Sequence, residues 1–200
     1  MTFTKMSIPD IVLIEPKVHG DERGYFFESF RVDKLEEFLG YAINFVQDNE
    51  SKSSYGVLRG LHYQKAPYAQ MKIVRVIEGA VIDVAVDIRR GSPTFGKHVA
   101  VELSSQNKRQ LLIPSGFAHG FAVLSQSAVF AYKVDNYYSF EHERGVAFDD
   151  KDLGIEWHIV AKDICVSLKD RNLPRLKDAD ISFEYQSMQK ELLSEIFKNA

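Results

Sequence analysis

The sequence contains little cysteine, no long apolar run and no excess of charge of either sign. Cys165 is the only cysteine among its 200 residues, which excludes an intrachain disulfide and a metal site built from cysteines. The apolar stretches are interrupted by charges, as in residues 80–88, and none reaches the roughly 18 uninterrupted apolar residues of a transmembrane helix. Because no charged-then-apolar leader precedes Ile8, we expect a cytoplasmic protein.

The charges are nearly balanced along the chain. The 25 Lys and Arg residues and 28 Asp and Glu residues give a formal net charge of −3, and the two signs are interspersed. Neither a basic face nor an acidic tail is present, so we expect no nucleic-acid partner and no membrane partner. The hydrophobic content of 45% is typical of a globular protein with a substantial core. We expect one domain over residues 1–200, with a core over about 8–176 and a helical extension over about 180–200.

Aromatic residues are abundant, with 14 Phe, 9 Tyr and one Trp, and they favour strands and ligand pockets. Short strand-like runs dominate from Ile11 to Tyr138, and their regular spacing is typical of an antiparallel sandwich or barrel. Residues 73–88 predict a hairpin at the centre of a sheet, with its turn at Gly79. The predicted strands are Ile11–Ile14, Tyr25–Phe30, Asn44–Asp48, Met71–Ile77, Val81–Ile88, His98–Leu103, Gln110–Ile113, Gly120–Leu124 and Val129–Val134.

Helical periodicity is confined to two segments. Leu35, Phe38 and Leu39 would share one face of a helix over residues 33–39. Residues 187–198 repeat apolar side chains at helical spacing, which predicts an amphipathic helix near the end of the chain.

The six histidines lack the spacing of a transition-metal site. A metal-binding β-barrel commonly presents two histidines two residues apart on one strand, but the residue two positions after His62 is Gln64. The nearby Lys72 would repel a divalent cation, since an ammonium group has no lone pair to donate. The sequence therefore favours chemistry without a metal.

Several polar side chains stand in extended or glycine-containing segments from which they could reach a ligand. Arg59 and His62 lie on opposite faces of an extended chain, so they converge only if the chain bends at Gly60. Structural roles are the alternative. A histidine is often buried against the backbone or solvated in a turn, as His119 would be, and Tyr132 could be a core tyrosine bonded to a carbonyl.

The segment 21–28 supplies Arg23 and Glu28, with Phe26 between them. A guanidinium pairs with phosphate oxygens and an aromatic ring stacks on a base, so this segment suits a nucleotide. The alternative is an edge strand that carries a surface salt bridge.

The motifs occur together and in one order, and the chain resembles the dTDP-4-dehydrorhamnose 3,5-epimerase family, also described as dTDP-4-keto-6-deoxyglucose 3,5-epimerases. The resemblance extends from Asp21 to about Pro174. It rests on residues 21–28 (DERGYFFE), 45–49 (FVQDN), 58–64 (LRGLHYQ), 70–76 (QMKIVRV), 117–121 (FAHGF), 132–133 (YK), 137–138 (YY), 153–157 (LGIEW) and 168–170 (LKD).

The resemblance implies a cupin-type jelly-roll fold and a cofactor-free epimerisation of dTDP-4-keto-6-deoxy-D-glucose to dTDP-4-keto-L-rhamnose. It implies that His62 is the base, that Asp170 orients it, and that Tyr132 is the acid on the opposite face of the sugar. Lys72 would stabilise enolate charge at the C4 oxygen. The implied substrate-binding residues are Arg23, Phe26, Glu28, Gln47, Asp48, Asn49, Arg59, His119, Tyr138, Glu143 and Lys169.

The resemblance also implies a homodimer, in which the strand from Arg23 to Glu28 completes the pocket of the second subunit. Phe26 and Tyr138 would then sandwich the thymine.

Phe148, Asp135 and Met71 depart from the family pattern and could tune the choice of substrate. Two alternatives remain open: an epimerase of another nucleoside-diphosphate 4-keto sugar that acts at C3 or C5 alone, and a non-catalytic cupin that binds a sugar nucleotide. A metal-dependent cupin oxygenase is a third alternative, which Gln64 and Lys72 disfavour.

Overall fold

Strands form most of the regular secondary structure in the computed structural model, which describes residues 1–185. Two α-helices accompany them, α1 (Val32–Leu39) and α2 (Leu168–Arg171). Three short 3₁₀ turns cover Phe140–His142, Ala161–Asp163 and Leu176–Asp178. The strands are β1 (Thr2–Lys5), β2 (Val12–Glu15), β3 (His19–Asp21), β4 (Gly24–Phe26), β5 (Gln47–Ser54), β6 (Leu58–Gln64), β7 (Lys72–Glu78), β8 (Ala80–Asp87), β9 (His98–Ser104), β10 (Gln110–Ile113), β11 (Phe117–Val123), β12 (Ser127–Val134) and β13 (Glu143–Gly145).

Two antiparallel sheets make up the barrel. The six-stranded sheet has the order β1-β2-β10-β7-β12-β5, and the five-stranded sheet has the order β13-β6-β11-β8-β9. Strands β3 and β4 form a separate two-stranded ribbon. Strands that are neighbours in a sheet are mostly distant in sequence, which is the arrangement of a jelly roll. The predicted all-β class and cupin-type jelly roll are therefore confirmed.

The core fills the space between the two sheets. Phe130 of the six-stranded sheet is 1% exposed and stacks on Phe121 of the five-stranded sheet, with ring centroids 4.0 Å apart. Burial of one such side chain contributes roughly 1.5–3 kcal/mol. Alternate residues of β7 face the other way, so that Ile73 packs with Leu35 of α1 on the outer side of the sheet. Both faces of the six-stranded sheet are thus covered near β7.

The outer side of the five-stranded sheet is covered by the segments that follow β13. Trp157, Leu176 and Ile181 pack there against Leu58 and Leu61 of β6. The indole of Trp157 also donates a hydrogen bond to the carbonyl of Phe148 at 2.9 Å, which shows that Phe148 lies in this layer.

The prediction of a hairpin over residues 73–88 is wrong. Strand β7 belongs to the six-stranded sheet and β8 to the five-stranded sheet, so Gly79 marks a corner between sheets. Gly79 has φ of +79°, and a Cβ there would lie 2.1 Å from the carbonyl oxygen of Ser127. A short polar and glycine-containing turn between two apolar runs is found both in hairpins and in corners between sheets. The two cases differ only in the strands with which each run pairs, and those strands are distant in sequence.

Other predicted elements differ mainly in their bounds. The helix over 33–39 is confirmed as α1, which ends at Gly40 in the left-handed conformation. The strand predicted over 44–48 lies instead over 47–54, as β5. Its bounds were misplaced because its polar sequence has no apolar alternation. Strand β4 ends at Phe26 rather than at residue 30. The strands β1, β3 and β13 were not predicted, whereas β6 coincides with the segment treated as an extended chain.

The helix predicted over 187–198 lies outside the described residues, so it stays a prediction, as does the single domain over 1–200. Within residues 1–185, none of the helices has the length and apolar character required to cross a membrane.

We predict that Gly79→Ala destabilises the fold far more than Gly91→Ala. Both glycines have φ of +79°, but only the Cβ at Gly79 meets backbone atoms, since nothing lies within 4 Å of a Cβ at Gly91. The shared left-handed backbone costs about 1–2 kcal/mol in each variant, and the clash at Gly79 adds to this. Urea unfolding of the two variants measures the difference. Equal losses would show that Gly79 is not a tight corner.

Candidate active site

A cavity of about 610 Å³ opens between the two sheets. Strands β5, β7 and β12 supply one wall, strands β6 and β11 supply the other, and the segment before and within α2 closes one side. The polar side chains that line it and that were predicted as site residues are Asn49, Arg59, His62, Lys72, His119, Tyr132, Lys169 and Asp170.

Arg59 and His62 line the same cavity because β6 bends between them. Without a bend, the two side chains would lie on opposite faces of the strand. The pairing of β6 with β11 shifts register between the pair His119–His62 and the pair Phe121–Arg59. Gly60, at this shift, has φ of +128°, and a Cβ there would lie 2.5 Å from the Cα of Gly120. Only glycine permits this backbone approach, so the predicted bend at Gly60 is confirmed.

His62 and Asp170 form a hydrogen-bonded pair, with 2.7 Å between Nε2 and Oδ1. Asp170 is held in turn by two backbone contacts. Its own N–H donates to Ser167 Oγ at 3.0 Å, which caps α2, and Gly60 N–H lies 3.4 Å from Oδ2. Burial raises the pKa of Asp170, but the hydrogen bond and charge of His62 together with the Gly60 and Ser167 contacts outweigh it and keep the pKa below its usual value.

The pairing with Asp170 sets the chemistry of the His62 ring. A carboxylate can only accept, so Nε2 carries the proton of this hydrogen bond, and in the neutral ring the lone pair is on Nδ1. The His62 side chain is 26% exposed and that of Asp170 is 5% exposed. The segment that carries Asp170 is tied to β6, because Leu58 N–H donates to the carbonyl of Cys165 at 2.8 Å. The arrangement suits His62 to accept a proton from a molecule in the cavity.

A second histidine–aspartate pair lies beside the first, and the sequence alone did not reveal its carboxylate. His119, the direct cross-strand partner of His62, lies with Nε2 2.9 Å from Oδ2 of Asp83. Desolvation lowers the pKa of His119, although the charge of Asp83 opposes this. The available signal was the position of Asp83 itself, a charged residue in the middle of the apolar run 81–86.

Lys72 and Tyr132 stand on the six-stranded wall, opposite the two histidines. Desolvation lowers the pKa of Lys72 to about 8, against the opposing charges of Asp83 and Glu143. Burial also raises the pKa of the Tyr132 phenol, which keeps it protonated. The cavity therefore offers a cation and a proton-bearing hydroxyl on one wall and a basic ring nitrogen on the other.

A hydrogen-bonded network joins further predicted residues at the rim of the cavity. The Tyr138 hydroxyl donates to Glu143 at 2.8 Å, and Lys169 lies 2.5 Å from the same carboxylate oxygen. Tyr138 N–H donates to Gln47 at 3.2 Å, and Gln47 donates to Asn49 at 2.8 Å. The bond to Glu143 raises the pKa of Tyr138 to about 12. The Tyr138 ring remains exposed, so one of its faces is open to a ligand.

Four predicted site residues lie away from the cavity of their own chain. Arg23 and Phe26 belong to the exposed β3–β4 ribbon, and Phe26 is 69% exposed. Glu28 pairs with Arg31 at 3.1 Å just beyond that ribbon. Asp48 pairs with Lys133 at 2.8 Å and lines a smaller cavity of about 310 Å³ beside Phe30 and Arg75.

Within residues 1–185, no three His, Cys, Asp or Glu side chains come together in a geometry that could hold a metal ion. The roles predicted for all of these site residues remain predictions.

Comparison with known proteins gives consistent matches over most of the chain. The family described as dTDP-4-dehydrorhamnose 3,5-epimerase matches residues 5–178. The dTDP-4-dehydrorhamnose 3,5-epimerase of Shigella flexneri is 57% identical over 90% of this chain and 98% of its own length.

Solved structures agree with this match. The dTDP-6-deoxy-D-glucose-3,5-epimerase of Legionella pneumophila, in complex with dTDP-4-keto-L-rhamnose, has a TM-score of 0.89 at 49% identity and covers 93% of this chain and 99% of its own. A 3'-monoepimerase from Streptomyces bikiniensis, in complex with dTDP-quinovose, has a TM-score of 0.85 at 32% identity and covers 96% and 98% of the two chains.

The Lys72 amine is predicted to titrate near pH 8, because burial disfavours its charged form. Nitrogen NMR of lysine-labelled protein over a pH series measures this, and Lys72→Met assigns the signal by its disappearance. A Lys72 midpoint close to the ordinary lysine value of about 10.4 would contradict the desolvated environment described for the cavity.

Proposed function

The chain belongs to the dTDP-4-dehydrorhamnose 3,5-epimerase family, and we propose that it converts dTDP-4-keto-6-deoxy-D-glucose to dTDP-4-keto-L-rhamnose by inverting C3 and C5. The observation that carries this proposal is the placement of a base and an acid on opposite walls of one cavity. His62 projects from the five-stranded sheet and Tyr132 from the six-stranded sheet. Inversion at carbon needs removal of a proton from one face and return from the other.

The hydrogens on C3 and C5 are acidic because both carbons neighbour the C4 ketone. We assign their removal to Nδ1 of His62, since Nε2 is engaged with Asp170 at 2.7 Å. The charge of Asp170 stabilises the imidazolium that forms. The negative charge that develops on the C4 oxygen is matched by the Lys72 ammonium, which acts strongly because little water surrounds it.

Reprotonation from the opposite face is assigned to the Tyr132 hydroxyl. Burial keeps this phenol protonated, so the proton is present when the enolate forms. The rim side chains Arg59 and Lys169 supply positive charge for the diphosphate, and the exposed ring of Tyr138 supplies a stacking surface for thymine.

His62→Ala is expected to abolish deuterium exchange at both sugar carbons. General-base removal by a positioned side chain contributes about 10²–10⁴-fold, so the rate falls by at least that factor. The assay incubates enzyme and dTDP-4-keto-6-deoxyglucose in D2O and follows the ring hydrogens by NMR. His98→Ala is the matched control, because His98 lies on β9, in the five-stranded sheet but outside the cavity.

The same spectra separate the alternatives. Exchange at C3 and C5 with a rhamno-configured product supports the proposal. Exchange at a single carbon would instead support a monoepimerase, the activity that the Streptomyces bikiniensis relative carries in its name. No exchange by the wild-type protein would support a sugar-nucleotide-binding protein without catalysis, and exchange retained in His62→Ala would remove the assignment of the base.

We propose further that the enzyme acts as a homodimer and that Arg23, Phe26 and Glu28 complete the pocket of the second subunit. Three observations support this. These residues lie on or next to an exposed ribbon, none of them lines the cavity of its own chain, and a guanidinium and an unstacked ring suit a nucleotide. A two-fold axis would give each cavity one ribbon from its partner.

A shared pocket predicts complementation between two inactive variants, Arg23→Ala and His62→Ala. Coexpression with two different tags and tandem purification isolates the mixed dimer. One of its two cavities then combines an intact His62 with an intact Arg23 from the other subunit, so about half of the wild-type activity returns. Mixed dimers as inactive as either parent would show that the pocket is built from a single chain.

A further inference from the structure

Asp83 is a buried carboxylate to which the mechanism above assigns no role. It stands on β8 between Ile82 and Val84, and its side chain has no exposed surface. Oδ2 receives the hydrogen bond of His119, whereas Oδ1 is buried and has no hydrogen-bond partner among the described residues. An incompletely bonded buried carboxylate costs free energy of folding, so the fold alone gives no reason for its presence.

The neighbouring Asp87 shows what a purely structural carboxylate looks like on the same strand. It is also fully buried, but Arg89, Ser92 and Thr94 all donate hydrogen bonds to it, at 2.6–2.9 Å. Asp83 has one such donor, and that donor lines the cavity. Asp87 is bonded as expected for a carboxylate that stabilises the fold, whereas the single partner of Asp83 indicates a role at the cavity.

We propose that Asp83 is a positioning residue for the epimerisation. It holds His119 as a neutral hydrogen-bond acceptor towards the sugar, and its charge maintains the protonated form of Lys72. This inference rests on the proposed function.

The first part follows from the geometry of the His119 ring. Because a carboxylate only accepts, the nitrogen 2.9 Å from Asp83 must carry a proton. His119 lies across from His62 and near Lys72, so protonation of its ring would place a second positive charge close to the Lys72 ammonium. A neutral ring with Nε2 protonated has its lone pair on Nδ1, which can accept a hydrogen bond from a sugar hydroxyl but cannot donate one.

The second part follows from the charges around Lys72. Lys72 lines the same cavity as His119, the residue to which Asp83 is bonded. Burial disfavours the charged form of Lys72, so the amine would lose its proton readily without a compensating negative charge. Asp83 on β8 and Glu143 on β13 are the carboxylates whose charges favour the protonated amine. Glu143 is already bonded to Lys169 and Tyr138, which leaves Asp83 as the less committed counter-charge. The other titratable or charged groups that line the cavity are Glu50, Arg59, His62, His119, Tyr132, Cys165, Lys169 and Asp170.

The two histidine–aspartate pairs then have different tasks. The more exposed His62 exchanges protons with the sugar, while His119, with a side chain only 8% exposed, stays neutral and orients the sugar. A buried charge behind each ring fixes which nitrogen faces the ligand.

The first test compares Asp83→Asn with Asp87→Asn in the epimerisation assay across pH. Loss of the Asp83 charge weakens the protonated form of Lys72, so the alkaline limb of kcat is expected to move down by about one pH unit. At neutral pH kcat is expected to fall about tenfold or more, with a smaller change in KM. Asp87→Asn is expected to lower stability and leave the pH profile in place. An unchanged profile in a folded Asp83→Asn enzyme would overturn the role of its charge.

The second test uses the wild-type protein and needs neither catalysis nor a stable variant. Nitrogen NMR of histidine-labelled protein, assigned with His119→Gln, is expected to show His119 at pH 7 with a protonated Nε2 and an unprotonated Nδ1. A protonated Nδ1 at that pH would overturn the proposal. If the wild-type protein failed to epimerise, the proposed function would fall, whereas this spectrum would still decide how Asp83 positions His119.

Discussion

The site depends on how closely β6 and β11 approach each other at Gly60 and Gly120. A side chain at either position would meet the opposite backbone, at 2.5 Å for Gly60 and 2.7 Å for Gly120. This contact shifts the register of the two strands, turns Arg59 and His62 towards one cavity, and places His62 directly across from His119. It also aims the Gly60 N–H at Asp170. Four functional features therefore follow from one requirement for two residues without side chains.

Desolvation determines how the groups of the cavity behave. The interior of a jelly roll is built to exclude water, so polar groups placed there carry a cost that is recovered only through mutual bonds. Desolvation lowers the pKa of Lys72 to about 8. It also lowers the pKa of His119, which favours the neutral ring. The same environment strengthens the attraction between Lys72 and negative charge on a bound molecule. Burial of these groups therefore lowers the stability of the fold and strengthens the electrostatic interactions available in the cavity.

Local sequence patterns predicted features that depend on neighbouring residues. They failed for features that depend on contacts between strands distant in sequence. The all-β class, helix α1 and the bend at Gly60 could be predicted, because each depends on short-range alternation or on a single glycine. The corner at Gly79 could not, since only the pairing partners of β7 and β8 distinguish it from a hairpin. Asp83 was missed because a lone charge in an apolar strand has no partner visible in the sequence. The exposed position of Arg23 likewise depends on the ribbon that carries it rather than on its motif.

The segment 165–170 is attached to β6 late in synthesis, and it carries the carboxylate that contacts His62. Both strands that carry the cavity histidines lie before residue 124, but the carboxylate that orients His62 arrives with α2, held to β6 through Leu58 and Cys165. During synthesis, the barrel strands therefore leave the ribosome before Asp170 does. A nascent chain with all its strands formed would still lack the carboxylate that fixes the His62 ring. The histidine–aspartate pair is therefore completed only when nearly the whole described chain has been made.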